Sequence, residues 1–244
     1  MITKFAALFL SAAVLSAPCF AAEGSWTELF NGKDLTGWVQ HSGQAKYAVE
    51  DGVIVGTTVL GTGNSFLCTQ KEYGDFVFEC EFKVDPKLNS GIQFRSQVFD
   101  KETELKGKDG QPILDKGKAK KVPADRVHDY QYEIDPSPRA FAAGVYDEAR
   151  RGWLFPGTSG GEKEKFGEQG RKLFRANDWN QVRIECRGSK ITTYLNGEKR
   201  AEFADDLTLK GLICLQVHGI GKDSQKEGIK VMWRKLRIQV LDQP

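Results

Sequence analysis

The residues best placed to do chemistry lie in Val127-His128-Asp129-Tyr130-Gln131-Tyr132-Glu133-Ile134-Asp135. Read as an extended strand, this stretch sends successive side chains to opposite faces. Tyr130, Tyr132 and Ile134 then share a face suited to a core, and Asp129, Gln131, Glu133 and Asp135 share the other. Two further stretches split the same way. Over residues 92–97, Ile92 and Phe94 oppose Gln93, Arg95 and Gln97; over 212–218, Ile213, Leu215 and Val217 oppose Gln216 and His218. If these strands are neighbours, their polar faces line one cleft with a cation, carboxylates, amides and an imidazole. Such a set offers matched donors and acceptors to sugar hydroxyls. It also holds the groups that move a proton and steady an oxyanion. A half-exposed sheet face is ordinarily just wet. These faces differ in carrying Gln, Arg, Asp and His where Lys, Thr and Ser are usual.

His218 shares a face with Gln216 and precedes Gly219, which leaves room for a ligand, whereas His128 falls in the apolar phase of its strand and reads as structural. No His, Asp and Glu spacing makes a strong metal motif. The cofactor is therefore open, with a divalent cation held by carboxylates compatible with the sequence but not indicated by it.

The elements that must position these residues are short strands. The alternation recurs over residues 47–55 around Asp51-Gly52, over 76–84, over 179–187 and over 190–203 around Asn196-Gly197, the strongest local hairpin signal. No long amphipathic helix stands out. Many short strands with turns between them predict an all-β, two-sheet antiparallel sandwich of jelly-roll type. Residues 100–126, rich in Lys, Glu, Asp and Gly, read as a solvated excursion or as a lid at the mouth of a site. Residues 147–177 read as a second irregular stretch, carrying Trp153.

The chain has 244 residues and a formal net charge of +2, enough to bury one large core and too balanced to suggest nucleic acid or a membrane surface as partner. Lys4 followed by the apolar run from Phe5 to Leu15 and small residues to Ala22 reads as a secretory signal. That predicts a signal at 1–22, a single domain at 23–244 and a periplasmic or extracellular protein, free of the membrane once the signal is removed. Cys68, Cys80, Cys186 and Cys214 remain in the domain. Export permits disulfides, but Cys80 and Cys186 sit on apolar phases and read as buried thiols.

Several blocks resemble the 3-keto-disaccharide hydrolase family: Phe30-Asn31-Gly32-Lys33-Asp34-Leu35-Thr36-Gly37-Trp38, Asn89-Ser90-Gly91-Ile92-Gln93-Phe94-Arg95 and Tyr132-Glu133-Ile134-Asp135. Asp178-Trp179-Asn180, Tyr194-Leu195-Asn196-Gly197 and Leu215-Gln216-Val217-His218-Gly219 extend the match to essentially residues 26–241. The resemblance implies a concanavalin A-like jelly roll acting on glycosides already oxidised to a ketone at carbon 3. Such a ketone acidifies the hydrogen on carbon 2, so that a base can form an enolate and the aglycone can leave from carbon 1, with or without addition of water. On that reading Glu133 or His218 is the base, Arg95 steadies the oxyanion, Asp135 orients a partner, and Gln93, Gln131 and Gln216 hold hydroxyls. The partner is an oxidised sugar or glycoside. Two rivals stand beside it. A non-catalytic carbohydrate-binding module would use aromatic platforms such as Tyr146 and Trp153, with Trp38 read as core. A laminarinase-type glycosidase is suggested by Glu133-Ile134-Asp135, but the third carboxylate of its Glu-x-Asp-x-x-Glu pattern is missing.

Overall fold

The computed structural model describes residues 24–241; the segment read as a signal lies outside them. In chain order the strands are β1 (Trp26–Glu28), β2 (Trp38–Ser42), β3 (Lys46–Glu50), β4 (Val53–Thr57), β5 (Ser65–Thr69), β6 (Phe76–Val84) and β7 (Ser90–Ser96). Four two-residue strands follow, β8 (Thr103–Glu104), β9 (Leu114–Asp115), β10 (Lys118–Ala119) and β11 (Lys121–Val122). Then come β12 (Asp129–Ile134), β13 (Val145–Glu148), β14 (Gly152–Phe155) and a helix, α1 (Lys163–Leu173). The chain closes with β15 (Asn180–Arg187), β16 (Lys190–Leu195), β17 (Glu198–Ala204), β18 (Leu212–Val217) and β19 (Lys230–Val240).

Period-two alternation sorts these strands into two antiparallel sheets. The first has the order β17-β16-β15-β6-β19-β4-β3, with β1 added beside β19. The second has the order β14-β13-β12-β7-β18-β5-β2. This is the all-β jelly-roll sandwich that the strand pattern predicts. Between the sheets Ile54, Phe76, Phe78, Phe82 and Trp233 meet Ile92, Phe94, Tyr130, Tyr132 and Leu215, all inaccessible to solvent. Each such side chain contributes about 1.5–3 kcal/mol by leaving water. Trp38 joins this core, its indole N–H donating to the Leu29 carbonyl at 2.9 Å. The two hairpins expected at Asp51-Gly52 and Asn196-Gly197 form, with positive φ at both residues of each turn.

Two expectations change. Residues 100–126 are not structureless: β8 pairs with β11, and β9 with β10, giving a pair of small ribbons. Residues 147–177 contain β14 and the 11-residue α1. The helix is hard to see in the sequence because two of its three buried residues are glycines, Gly167 and Gly170, beside Phe166. Glycine is a poor helix former, yet a Cβ at Gly170 would lie 2.0 Å from the Ala140 carbonyl oxygen. Close packing on the chain after β12 thus required the residues that hide the helical pattern.

Cys80 and Cys186 are buried free thiols, as their phase predicts. Cys68 and Cys214 form a disulfide between β5 and β18. Among the described residues, no helix is long and apolar enough to cross a membrane.

Candidate active site

Strand pairing brings most of the expected polar residues into two rows on the outer face of the second sheet. One row runs Trp153, Tyr146, Gln131, Gln93, Cys214, Cys68, each opposite the next on the neighbouring strand. The row beside it runs Glu133, Gly91, Gln216, Phe66, His41. This face is curled. Asn64 beside β5 donates to Glu148 of β13 at 3.3 Å, although four strand spacings, about 19 Å in a flat sheet, separate those strands. The face is therefore a trough with Glu133 and the glutamines on its floor.

The floor is a relay of buried amides ending on a carboxylate. Gln93 Nε2 and Gln216 Nε2 both donate to Gln131 Oε1, at 2.5 and 2.8 Å, and Gln131 Nε2 donates to Glu133 Oε2 at 2.7 Å. The amide oxygens of Gln93 and Gln216 are buried without a partner, two acceptors available to substrate hydroxyls. Gly91 makes room for the relay: a Cβ there would lie 2.6 Å from Gln131 Cδ. Glu133 also accepts from Asn89 Nδ2 at 2.7 Å and from Arg139 Nη2 at 3.2 Å. Burial raises its carboxyl to about 7, against the opposing pull of the Asn89 and Gln131 hydrogen bonds. A carboxylate with that value is matched to general-base work near neutral pH.

Asp135 lies off the floor. Its carboxylate accepts from the Ser137 and Phe141 amides and from Arg139 Nε at 2.8 Å. Arg139, which it holds, also reaches Glu133. Arg139 in turn lies 4.9 Å over Trp153 and 5.1 Å over Phe141. Trp153 and Tyr146 meet edge to face at 5.3 Å and form an aromatic wall at the β14 end of the trough. Burial, reinforced by the Glu148 and Glu133 carboxylates, raises the Tyr146 phenol, so it remains an O–H donor. His218 places Nδ1 2.7 Å from the Gly219 carbonyl. A carbonyl only accepts, so Nδ1 carries a proton and, in the neutral ring, Nε2 presents a lone pair.

Arg95 does not reach the trough, which corrects its expected role as oxyanion stabiliser. Its φ is +50°, and the register beside it shifts between Leu212 and Cys214. This bulge turns the side chain the other way. Arg95 is instead fully buried on Asp75, at 2.9 Å, and on the carbonyls of Gly74 and Gly188. It ties the two sheets together at one end. Asp129 leaves the trough face for a similar reason, with φ at +92°.

The cation that does face the trough was not singled out in the sequence. The chain before β12 crosses the sheet as a strap: Asp125 holds His41 Nδ1 at 2.6 Å and the Ser42 amide at 2.8 Å on β2. Val127 packs with Phe66 and the Cys68–Cys214 disulfide. Between them Arg126 lies 5.3 Å over the Phe66 ring and pairs with Glu148. Asn64, Asn89, Arg126, Arg139 and Glu148 thus complete the site. Only Asn89 had a local signal, its place in Asn89-Ser90-Gly91; the others depend on how distant segments meet. Among the described residues, no three His, Cys, Asp or Glu side chains group as a cation cage.

A family model described as the 3-keto-alpha-glucoside-1,2-lyase-like domain matches residues 25–239. The chain belongs to this family. Family membership agrees with the order of blocks noted in the sequence, and with the polar strand faces that fold into the trough. No curated protein matches the chain significantly. Among solved structures, the lyase-like chain resembles a Bacillus subtilis protein of unknown function with a galectin-like fold, at TM-score 0.57 and 11% identity over 92% of this chain and 100% of that one. It also resembles a Parabacteroides distasonis protein provisionally named a glycosyl hydrolase, at TM-score 0.52 and 21% identity over 90% and 94%. At these identities the likeness is one of fold.

Proposed function

We propose that this chain cleaves 3-keto-glycosides by elimination between carbons 1 and 2. Membership of the family makes it a carbohydrate-processing protein. The observation that carries the finer reading is Glu133, a buried carboxylate raised to about 7 on the floor of a hydroxyl-binding trough. Glu133 removes the proton from carbon 2, and the electron pair moves onto the carbon 3 oxygen. The enolate then re-forms the ketone as a carbon 1–carbon 2 double bond develops, and the aglycone oxygen leaves from carbon 1. Arg126 is the cation available to the enolate oxygen. The Tyr146 O–H is the donor available to the leaving oxygen, and the lone pair on His218 Nε2 can take a proton from water adding to the double bond. Gln93 and Gln216 hold hydroxyls with their unpartnered oxygens. A retaining glycosidase pair is disfavoured because Asp135 is committed to Arg139 and two backbone amides.

The Cys68–Cys214 disulfide supports export, since such bonds persist in oxidising compartments. The deciding experiment incubates the protein with a 3-keto-glucoside and with the parent glucoside, following products by mass spectrometry. The expected result is an unsaturated keto sugar or its hydrate from the first substrate alone. Cleavage of the parent glucoside alone overturns the reading. The Trp153–Tyr146 wall favours one rival, a module that binds without cleaving; binding of unoxidised glycan with no turnover of either substrate would establish it.

A further inference from the structure

A cavity of about 470 Å³ opens at the far end of β12 from Glu133, between the β8–β11 ribbon and the chain entering β18. Its polar wall is a locked cluster. Asp129 Oδ1 lies 2.7 Å from His128 Nδ1 and forms an ion pair with Arg150 Nη1 at 2.9 Å, while Asp129 Oδ2 accepts from Thr208 Oγ1 at 2.9 Å and Arg150 Nη1 donates to Thr208 Oγ1 at 2.8 Å. Arg150 Nε is held on Asp147 at 2.8 Å. The other ends of the same side chains have nothing to bind: His128 Nε2 and Arg150 Nη2 are buried without a hydrogen-bond partner. Both residues line the cavity, with side chains 3% and 5% exposed. Leaving a buried polar group unpaired is costly, so a ligand that engages both atoms is favoured.

The chemistry of the two atoms selects that ligand. In the neutral imidazole Nδ1–H donates to the Asp129 carboxylate and Nε2 is an acceptor, while Nη2–H of Arg150 is a donor. Adjacent hydroxyls on one molecule meet this pair, one donating and one accepting. The lining also has an apolar part: Phe99 packs against the His128 ring at 4.7 Å, and Leu105, Leu207 and Leu209 line the cavity beside them. A sugar ring presents this combination of hydroxyl edge and apolar face. Charge argues against an anion, because Asp129, Asp147 and Asp205 bring three carboxylates to the two guanidinium groups of Arg150 and Arg151. The volume falls within the roughly 300–1,000 Å³ of small-molecule sites.

We propose that this cavity is a second carbohydrate site, binding one neutral sugar ring through a vicinal hydroxyl pair on His128 and Arg150, remote from the trough. It does not depend on the trough's chemistry. The test is an NMR titration of the ¹⁵N-labelled chain with methyl α-D-glucopyranoside and methyl β-D-galactopyranoside, beside glycerol and sodium sulfate. At least one glycoside should give saturable shifts at the amides of His128, Asp129 and Thr208. Those shifts should persist in Glu133→Gln, be lost in Leu209→Trp, and weaken at least tenfold in His128→Phe. Leu209 is 47% exposed, so a tryptophan there narrows the mouth without entering the ion cluster. Saturation by sulfate alone, equal saturation by glycerol, shifts confined to the trough, or unchanged affinity in Leu209→Trp would each overturn the proposal.

Discussion

Both sheets present an alternating polar face to the outside, and the two faces behave in opposite ways. On the first sheet Glu79 is held by Arg183 and Arg237, both at 2.6 Å, and Glu81 by Arg234 at 2.6 Å and Lys235 at 2.8 Å. That face also carries a depression of about 770 Å³, lined by these residues with Glu185 and Tyr194. On the floor of the trough the polar groups are buried amides and one carboxylate, Glu133. Burial is the largest influence on both Glu81 and Glu133. At Glu81 the hydrogen bonds and charges of Lys235 and Arg234 outweigh it, leaving the carboxyl below its ordinary value. At Glu133 burial prevails. A hollow by itself therefore says little about chemistry; what matters is whether a titratable group in it has been left short of countercharge.

The sharpest way to break this comparison is to neutralise each carboxylate. Glu133→Gln should lower turnover of a chromogenic 3-keto-glucoside by about a hundred- to ten-thousand-fold, while Glu81→Gln leaves it within about twofold. Aglycone release at saturating substrate measures both; equal effects would erase the distinction. Next in size is Gly91→Ala. The added methyl must displace Gln131, and urea unfolding should show a loss of about 1–3 kcal/mol, with turnover falling alongside.

The pH dependence gives a third test, with opposite signs on the two faces. Glu133 must be ionised to act, so kcat/KM should rise with pH through about 7. Its raised value also means that the folded chain holds this proton where the unfolded chain has released it. Stability from Glu133 therefore declines as pH rises from the ordinary carboxylate range to about 7, and Glu133→Gln should remove that slope from thermal unfolding. Glu81 is lowered, so its contribution is present above the ordinary carboxylate range and is lost as pH falls through the lowered value. Smaller still, Arg126→Ala should reduce kcat/KM by about 1–3 kcal/mol of transition-state stabilisation. Arg183→Ala, on the exposed ladder, should change stability by less than about 1 kcal/mol and activity not at all.

The sandwich and the floor of the trough were readable in the sequence because strand alternation is local: Gln93, Gln131, Glu133 and Gln216 needed only a period of two and neighbouring strands. Arg95 and Asp129 were misplaced because each sits at a positive φ, which reverses the face without altering the residue pattern. Asp135 followed the alternation, but the turn after β12 claims its oxygens. Arg126 was invisible for a different reason. Its position depends on a strap anchored 83 and 84 residues away on β2, and no local period encodes such a contact. Trp153 was recognised as an aromatic that could face a ligand, but not as part of a strand.

The hydrogen bonds at Glu133 have one further consequence. All three side chains that touch its carboxylate, Asn89, Gln131 and Arg139, do so as donors. Oε1 already accepts from two donors and Oε2 from one, which leaves a lone pair on Oε2 for an incoming proton. The enclosure lets Glu133 take a proton near neutral pH, while its neighbours give the protonated acid no welcome. Such a residue is a carrier, loaded during one half of a reaction cycle and emptied during the other, with burial favouring the loaded form and the three donors the empty one.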